Sequence, residues 1–256
     1  MPRNARDSLA AGALAAAVLL GTATTAAAVE IRWTDWTSGT TTAGAFQALG
    51  TITTPTATID VTYDNPQGVG FIQTGTPGQI DYWQNNRSGR NPATSPYTSA
   101  EVDNIPTGTD IIGLRFAGSQ TLSFSQEVAN LVFAFVSLNG NGYAFDQDFE
   151  ILSVGNAADG NDCGYWGCGS VTKEIVDVGG GVLEYRLIGS GEPHGTIQFT
   201  GAFDDVSWRS LTSENWNGFT VGIEGTSQEV FGVPEPTTLG ILAAGLIAVG
   251  ARRRRG

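Results

Sequence analysis

Leu131-Val132-Phe133-Ala134-Phe135-Val136-Ser137-Leu138 is apolar at both odd and even positions. Successive side chains of a strand point to opposite faces, so a run apolar in both registers is covered on both sides and belongs in the middle of a sheet. Asn139-Gly140 and Asn141-Gly142 follow it as turn pairs. Upstream, Ala57, Ile59, Val61 and Tyr63 alternate with Thr56, Thr58, Asp60 and Thr62, the period-two pattern of a strand with one wet face. Further strands are predicted at 110–116, 149–154, 171–178, 182–188, 196–203, 206–209 and 219–224, with Asp159-Gly160 and Gly179-Gly180-Gly181 as turns between them. No part of the body sustains a 3.6-residue period with caps. Many short strands with close turns define an all-β fold. The length of some connections favours a jelly-roll-like β-sandwich of roughly ten strands over a simple meander. Residues 75–109, rich in Pro, Gly, Ser, Thr and Asn, read as long loops around a short strand at 79–83. The body, residues 29–232, is expected to be one domain with enough apolar surface for a proper core.

The two ends read differently. In residues 1–28, Arg3 and Arg6 precede an apolar stretch at 9–20, and Ala26-Ala27-Ala28 offers an A-x-A site with Ala26 and Ala28 at its small positions. This is the pattern of a cleaved signal peptide, the alternative being an uncleaved N-terminal anchor. In residues 233–256, Pro234 and Pro236 hold Glu235 in a stiff extended spacer. An uncharged run follows at 239–251, then Arg252, Arg253, Arg254 and Arg255. As a helix that run rises about 20 Å, against a hydrocarbon core of about 30 Å. With the flanking threonines and snorkelling arginines it becomes a short transmembrane helix under strain. The arginines stay cytoplasmic and the body lies outside. A helix buried in the fold is disfavoured, because four consecutive arginines would have to leave the core. By composition alone a plain C-terminal anchor fits equally.

The order Pro-Glu-Pro, short apolar helix, terminal arginine cluster resembles the PEP-CTERM sorting signal of exported bacterial proteins. The resemblance covers only the last 24 of 256 residues. It implies that exosortase, a membrane-embedded cysteine protease, removes the tail while the chain is transiently anchored in the inner membrane. It also implies that Pro234, Glu235 and Pro236 are recognition residues and Arg252 to Arg255 the stop. Four body segments, Trp33-Thr-Asp-Trp-Thr37, Tyr165-Trp-Gly-Cys-Gly169, Gly195-Thr-Ile-Gln-Phe-Thr-Gly201 and Glu214-Asn-Trp-Asn-Gly-Phe-Thr-Val-Gly222, resemble a body type recurring among such proteins. That second resemblance supports the fold and the sorting and implies no chemistry.

Setting aside Arg3, Arg6, Asp7, Glu235 and the four terminal arginines leaves seven basic and 23 acidic residues in the body, a formal −16. Such a body is repelled by nucleic acid and by anionic lipid. Cations, neutral polymers such as exopolysaccharide, and other proteins are the partners that remain.

Cys163 and Cys168 are the two cysteines, in Asp162-Cys-Gly-Tyr-Trp-Gly-Cys-Gly169. Outside the cytoplasm a close isolated pair is expected to be a disulfide. A zinc site is the rival, and it lacks two further ligands nearby. The closed loop is small, worth roughly 2 kcal/mol in chain entropy, so its expected work is to hold Tyr165 and Trp166 in one presentation. Trp83, Tyr165 and Trp166 sit in loop-like settings and are expected as ring platforms for a ligand. Trp36 and Trp208 are expected to pack in the core. Asp146, Asp148 and Glu150 fall at alternate positions, on one face if the segment is strand. A solvated acidic face is the plainer reading, and Asp146 and Asp148 are the first candidates if calcium binds, since calcium is held by carboxylate and carbonyl oxygens. His194, in Gly191-Glu-Pro-His-Gly195, reads as a surface turn histidine, with no G-x-S-x-G partner in the chain. No P-loop or dinucleotide fingerprint sits between a strand and a helix. No cofactor is implied otherwise. The preferred function is a non-enzymatic surface or matrix component that binds rather than turns over. The alternative is a secreted hydrolase of polysaccharide using a carboxylate pair.

Overall fold

The apolar run at 131–138 begins in the last third of a far longer strand, Gly118–Val136, and runs two residues past its end. The computed structural model of the protein describes residues 28–156 and 160–232. The segment expected to be a signal peptide, up to Ala27 and Ala26 with it, lies outside the described residues, as do Asp159 and the segment from Val233, with Pro234, Glu235, Pro236 and Arg252 to Arg255. Among the described residues no helix is long and apolar enough to cross a membrane.

The described chain is mostly strand, fourteen strands where about ten were expected. In order they are β1 Arg32–Trp33, β2 Asp35–Thr42, β3 Ala45–Thr53, β4 Thr58–Asn65, β5 Phe71–Gln73, β6 Ile111–Leu114 and β7 Gly118–Val136. After them come β8 Gly142–Phe145, β9 Glu150–Val154, β10 Gly169–Asp177, β11 Leu183–Gly191, β12 Gly195–Ser210, β13 Asn217–Ile223 and β14 Gly225–Thr226. A single helical turn, α1 Ser227–Phe231, ends the described body, capped by Thr226 and Glu229 in a reciprocal capping box. All named strands pair antiparallel in one continuous sheet.

Two bent strands make that sheet double. β7 and β12 pair along nearly their whole length, with register shifts at 199–202 and 203–205. Such bulges bend a strand and increase its twist. On one side of the bend the pair continues into β4, β3 and β2 through Tyr63↔Leu122, and into β8, β11 and β10 through Trp208↔Phe145. On the other side it continues into β13, β6 and β5 through Phe219↔Phe135, and into β9. The two expected strands at 196–203 and 206–209 are therefore one strand, interrupted in register but not in course.

The two layers meet through aromatic rings. Tyr63 of β4 and Trp208 of β12 each lie 5.2 Å from the Phe219 ring of β13. Phe145 of β8 lies 5.0 Å from Phe199. Phe133 stacks on Phe219 at 5.0 Å and stands edge-on to Trp208 at 5.4 Å. Offset and edge-to-face pairs of this kind add to the gain from area buried. β4 keeps the expected alternation, with Ile59, Val61 and Tyr63 fully buried.

The doubly apolar run is explained by two cores. Leu131, Phe133 and Phe135 face the space between the layers. Val132, Ala134 and Val136 face the other way, against Ile31, Trp33, Trp83, Tyr97, Val102, Ile105 and Ile111. That second cover is largely the stretch at 75–109, which is therefore a packed cap over the outer face of β7, β13 and β6. Asp110 fastens it, accepting from the Trp36 backbone N–H at 3.0 Å and offering its carbonyl to Trp83 Nε1 at 3.2 Å. Arg90 grips Asp81 with two nitrogens, both at 2.8 Å. The strand expected at 79–83 is not formed, because these residues are spent on capping turns.

Candidate functional site

The disulfide between Cys163 and Cys168 is formed, with the Cα atoms 4.6 Å apart, inside the usual range for the bond. Gly164 and Gly167 pair antiparallel inside it, the Gly164 N–H donating to the Gly167 carbonyl at 3.1 Å. Tyr165 and Trp166 are thereby the two tip residues of a miniature hairpin. The loop sits on His194. A Cβ on Gly164 would overlap the His194 ring, so only glycine allows this approach.

His194 is fully buried, not at the surface as expected. The Trp166 backbone N–H points at Nε2 (3.4 Å) and Tyr97 Oη lies 2.9 Å from Nδ1. Nε2 is then the acceptor and Nδ1 carries the proton, donating to Tyr97. The Tyr97 hydroxyl in turn donates to the Tyr82 carbonyl at 3.4 Å. Burial pushes the imidazole down to about 3, so the ring is neutral and its work is to seat the loop. The turn glycines around it hid this in the sequence.

Asp162 ties the loop to the cap. It accepts from Thr94 Oγ1 at 2.6 Å and Asn85 Nδ2 at 3.0 Å. These Asn85 and Thr94 hydrogen bonds hold its carboxyl below the usual range. Next to Asn85, Asn86 and Arg87 adopt positive φ angles of 48° and 58°. For an arginine that conformation is uncommon. It carries the guanidinium over Tyr165 at 4.7 Å and Trp166 at 4.4 Å, with Nε donating to the Tyr165 carbonyl at 2.9 Å.

Tyr165 and Trp166 join an aromatic cluster of the cap, β5 and Trp216, the residue before β13. Tyr82 lies 5.1 Å from Tyr165 and 4.9 Å from Trp216. Trp216 meets Phe71 edge-on at 5.0 Å, and Trp166 stands nearly perpendicular to Trp216 at 6.1 Å. Trp166 remains 40% exposed. Trp83, expected to be a platform beside it, is fully buried against Tyr97 and offers no face to a ligand. An indole with β5–β6 loop on one side and β7 on the other had no period-two signature to betray it.

Trp166 and Trp216 open onto a groove of about 220 Å³ that Ser137, Asn139, Glu192 and Glu214 also line. Glu192 accepts from Asn139 Nδ2 at 2.6 Å and from the Ser137 hydroxyl. Glu214 accepts from Asn141 Nδ2 at 3.0 Å and from Asn217. Desolvation pushes the Glu214 carboxyl up, and the Glu192 charge adds to it, against the hydrogen bonds from Asn217 and Asn141. Neither glutamate stood out among 23 acids, although Glu214-Asn-Trp216 was already conspicuous as a segment.

The acids proposed for calcium are placed apart from this groove. Asp146, Gln147 and Asp148 lie between β8 and β9 instead of along one strand face. Asp148 pairs with Lys173 Nζ at 2.6 Å, and Asp146 accepts from the Ser207 N–H at 3.3 Å. Among the described residues no group of three or more His, Cys, Asp or Glu is gathered as a metal site.

Residues 232–255 match the model of the PEP-CTERM protein-sorting motif. The chain thus carries a sorting signal that implies export and a transient membrane anchor, with which a membrane processing enzyme as partner is consistent. No curated protein and no solved structure matches the chain.

The loop's chemistry has a direct check. The exported protein should weigh two hydrogens less than its reduced form, and the Cys163→Ser, Cys168→Ser double variant should lose about 2 kcal/mol of stability. Two free thiols in the native protein would remove the tether from this account.

Proposed function

We propose that the protein is a cell-surface or extracellular-matrix component of a biofilm, sorted by an exosortase-type protease through its tail, that binds exopolysaccharide without turning it over. The observation that carries the binding reading is Trp166. It is a 40% exposed indole on a disulfide-closed hairpin, backed by Arg87 and set nearly square to Trp216. Aromatic rings held rigid at a surface present a flat apolar face, and the C–H face of a sugar ring is the complementary surface. A groove of about 220 Å³ is smaller than the roughly 300–1,000 Å³ of sites that engulf a small molecule, which suits one ring of a longer polymer. The body is read as a jelly-roll-like sandwich, a reading supported by two layers that share bent strands.

A pull-down on exopolysaccharide from the producing cells tests the proposal. Trp166→Ala should weaken retention about tenfold without changing the melting temperature by more than about 2 °C. Unchanged retention would end the platform reading. A second reading is favoured by one feature, the presence of two carboxylates, Glu192 and Glu214, in the same groove, as glycoside hydrolysis requires. Release of reducing sugar from that polymer, abolished by Glu214→Gln, would establish the hydrolase instead.

A further inference from the structure

Glu192 and Glu214 line one groove together, and like Asp162 and Glu224 they face no cation among the described residues. Glu184 is gripped by Arg186 and Arg209, Asp81 by Arg90, and Asp148 by Lys173. Glu192 and Glu214 are held by neutral donors, a serine hydroxyl and asparagine amides. Among the described residues neither takes part in an ion pair, and no lysine or arginine lines their groove. Both are partly buried. Two carboxylates drawn together out of water repel each other, and each would be relieved by a cation placed between them. The groove also offers rings at nearly right angles, Trp216 and Trp166, the latter with the Arg87 guanidinium already over it at 4.4 Å. Indole faces attract organic cations through their quadrupole. The body's −16 charge draws such a ligand from a distance.

We propose that the Trp166–Trp216 groove, with Glu192 and Glu214, selects a cationic polysaccharide, one whose hexosamine rings carry free amino groups. The proposal rests on the polysaccharide-binding reading above and sharpens it. Stacking on Trp166 places the sugar ring, and the protonated amine lies towards the glutamates. An N-acetylated ring keeps the stacking face and loses the charge. A neutral hexose loses the amine altogether.

The test is binding of the full chain, in mild detergent, to three soluble oligosaccharides of equal length, built from glucosamine, N-acetylglucosamine or glucose. The glucosamine oligomer should bind about tenfold tighter than the other two, and the advantage should fall away in about 0.5 M salt. Glu192→Gln should erase that advantage and leave the weaker binding of the neutral oligomers in place. Glu214→Gln should do the same, and because Glu214 holds Asn141 and Asn217, its melting temperature is measured alongside. Equal binding of all three oligomers would overturn the cationic preference and leave the platform reading standing. Binding of none would overturn both. Equal affinity for a lysine-rich peptide would overturn the assignment to a sugar.

Discussion

Phe133→Ala is expected to cost about 3–5 kcal/mol, the usual price of removing a buried phenylalanine. Phe133 is 1% exposed and lies where both layers converge. Its ring stacks on Phe219, and stands edge-on to Tyr143, Phe145 and Trp208 at 5.7, 5.5 and 5.4 Å. Those neighbours come from β8, β12 and β13, three strands that cannot collapse together onto one vacancy because each is fixed in the ladder on either side. The cavity should therefore persist, and the loss should sit at the upper part of that range. For a body of this size it corresponds to a fall in melting temperature of about 10 °C. Guanidinium unfolding followed by tryptophan fluorescence reads it directly. A loss under about 1 kcal/mol would mean that the layers do not share this ring as their centre.

Acid should weaken the protein through His194. The unfolded chain takes up a proton at histidine below about pH 6.5, while the folded ring, buried and neutral, does so only near 3. Between those values the unfolded state holds more protons, so stability falls as pH falls. From pH 7 to about 4.5 the loss from this one group is on the order of 3 kcal/mol. Asp110 acts in the opposite sense. Burial pushes its carboxyl up to about 6, so its contribution improves as pH falls from about 6 towards 4. Glu184, held down to about 2 by Arg209 and Arg186, adds to acid loss only below about pH 4.5. The histidine is isolated by comparison with His194→Gln, whose amide can accept from the Trp166 N–H and donate to Tyr97. That variant should show a flatter stability profile between pH 6.5 and 4.5, whatever its stability at neutral pH. An unchanged slope would show that His194 is not buried neutral.

Much of the architecture is visible in local pattern. The alternation at 57–63 and the uninterrupted apolarity at 131–138 follow from a two-residue repeat that needs only the residues themselves. The second core was implied by the even positions of that run, which had to be covered by something. What covers them was not legible. Residues 75–109 carry no period, because a cap that packs through isolated anchors such as Trp83, Tyr97 and Ile105 leaves no regular trace. The same absence of period made Trp83 look like an exposed ring and His194 like a surface turn.

The sequence alone determined that the body is built of strands, that its central run is covered on both faces, and that the tail carries a sorting signal. Each of these is a property of neighbours along the chain, set by side-chain alternation or by a contiguous motif. Only the tertiary structure decided that Trp166, Glu192 and Trp216 share one groove with Ser137, a residue 55 positions from the Glu192 it binds. That meeting depends on how β7, β12 and β13 pair and where they bend. Pairing over such distances is chosen by the packing of whole faces, and no single segment carries a record of it.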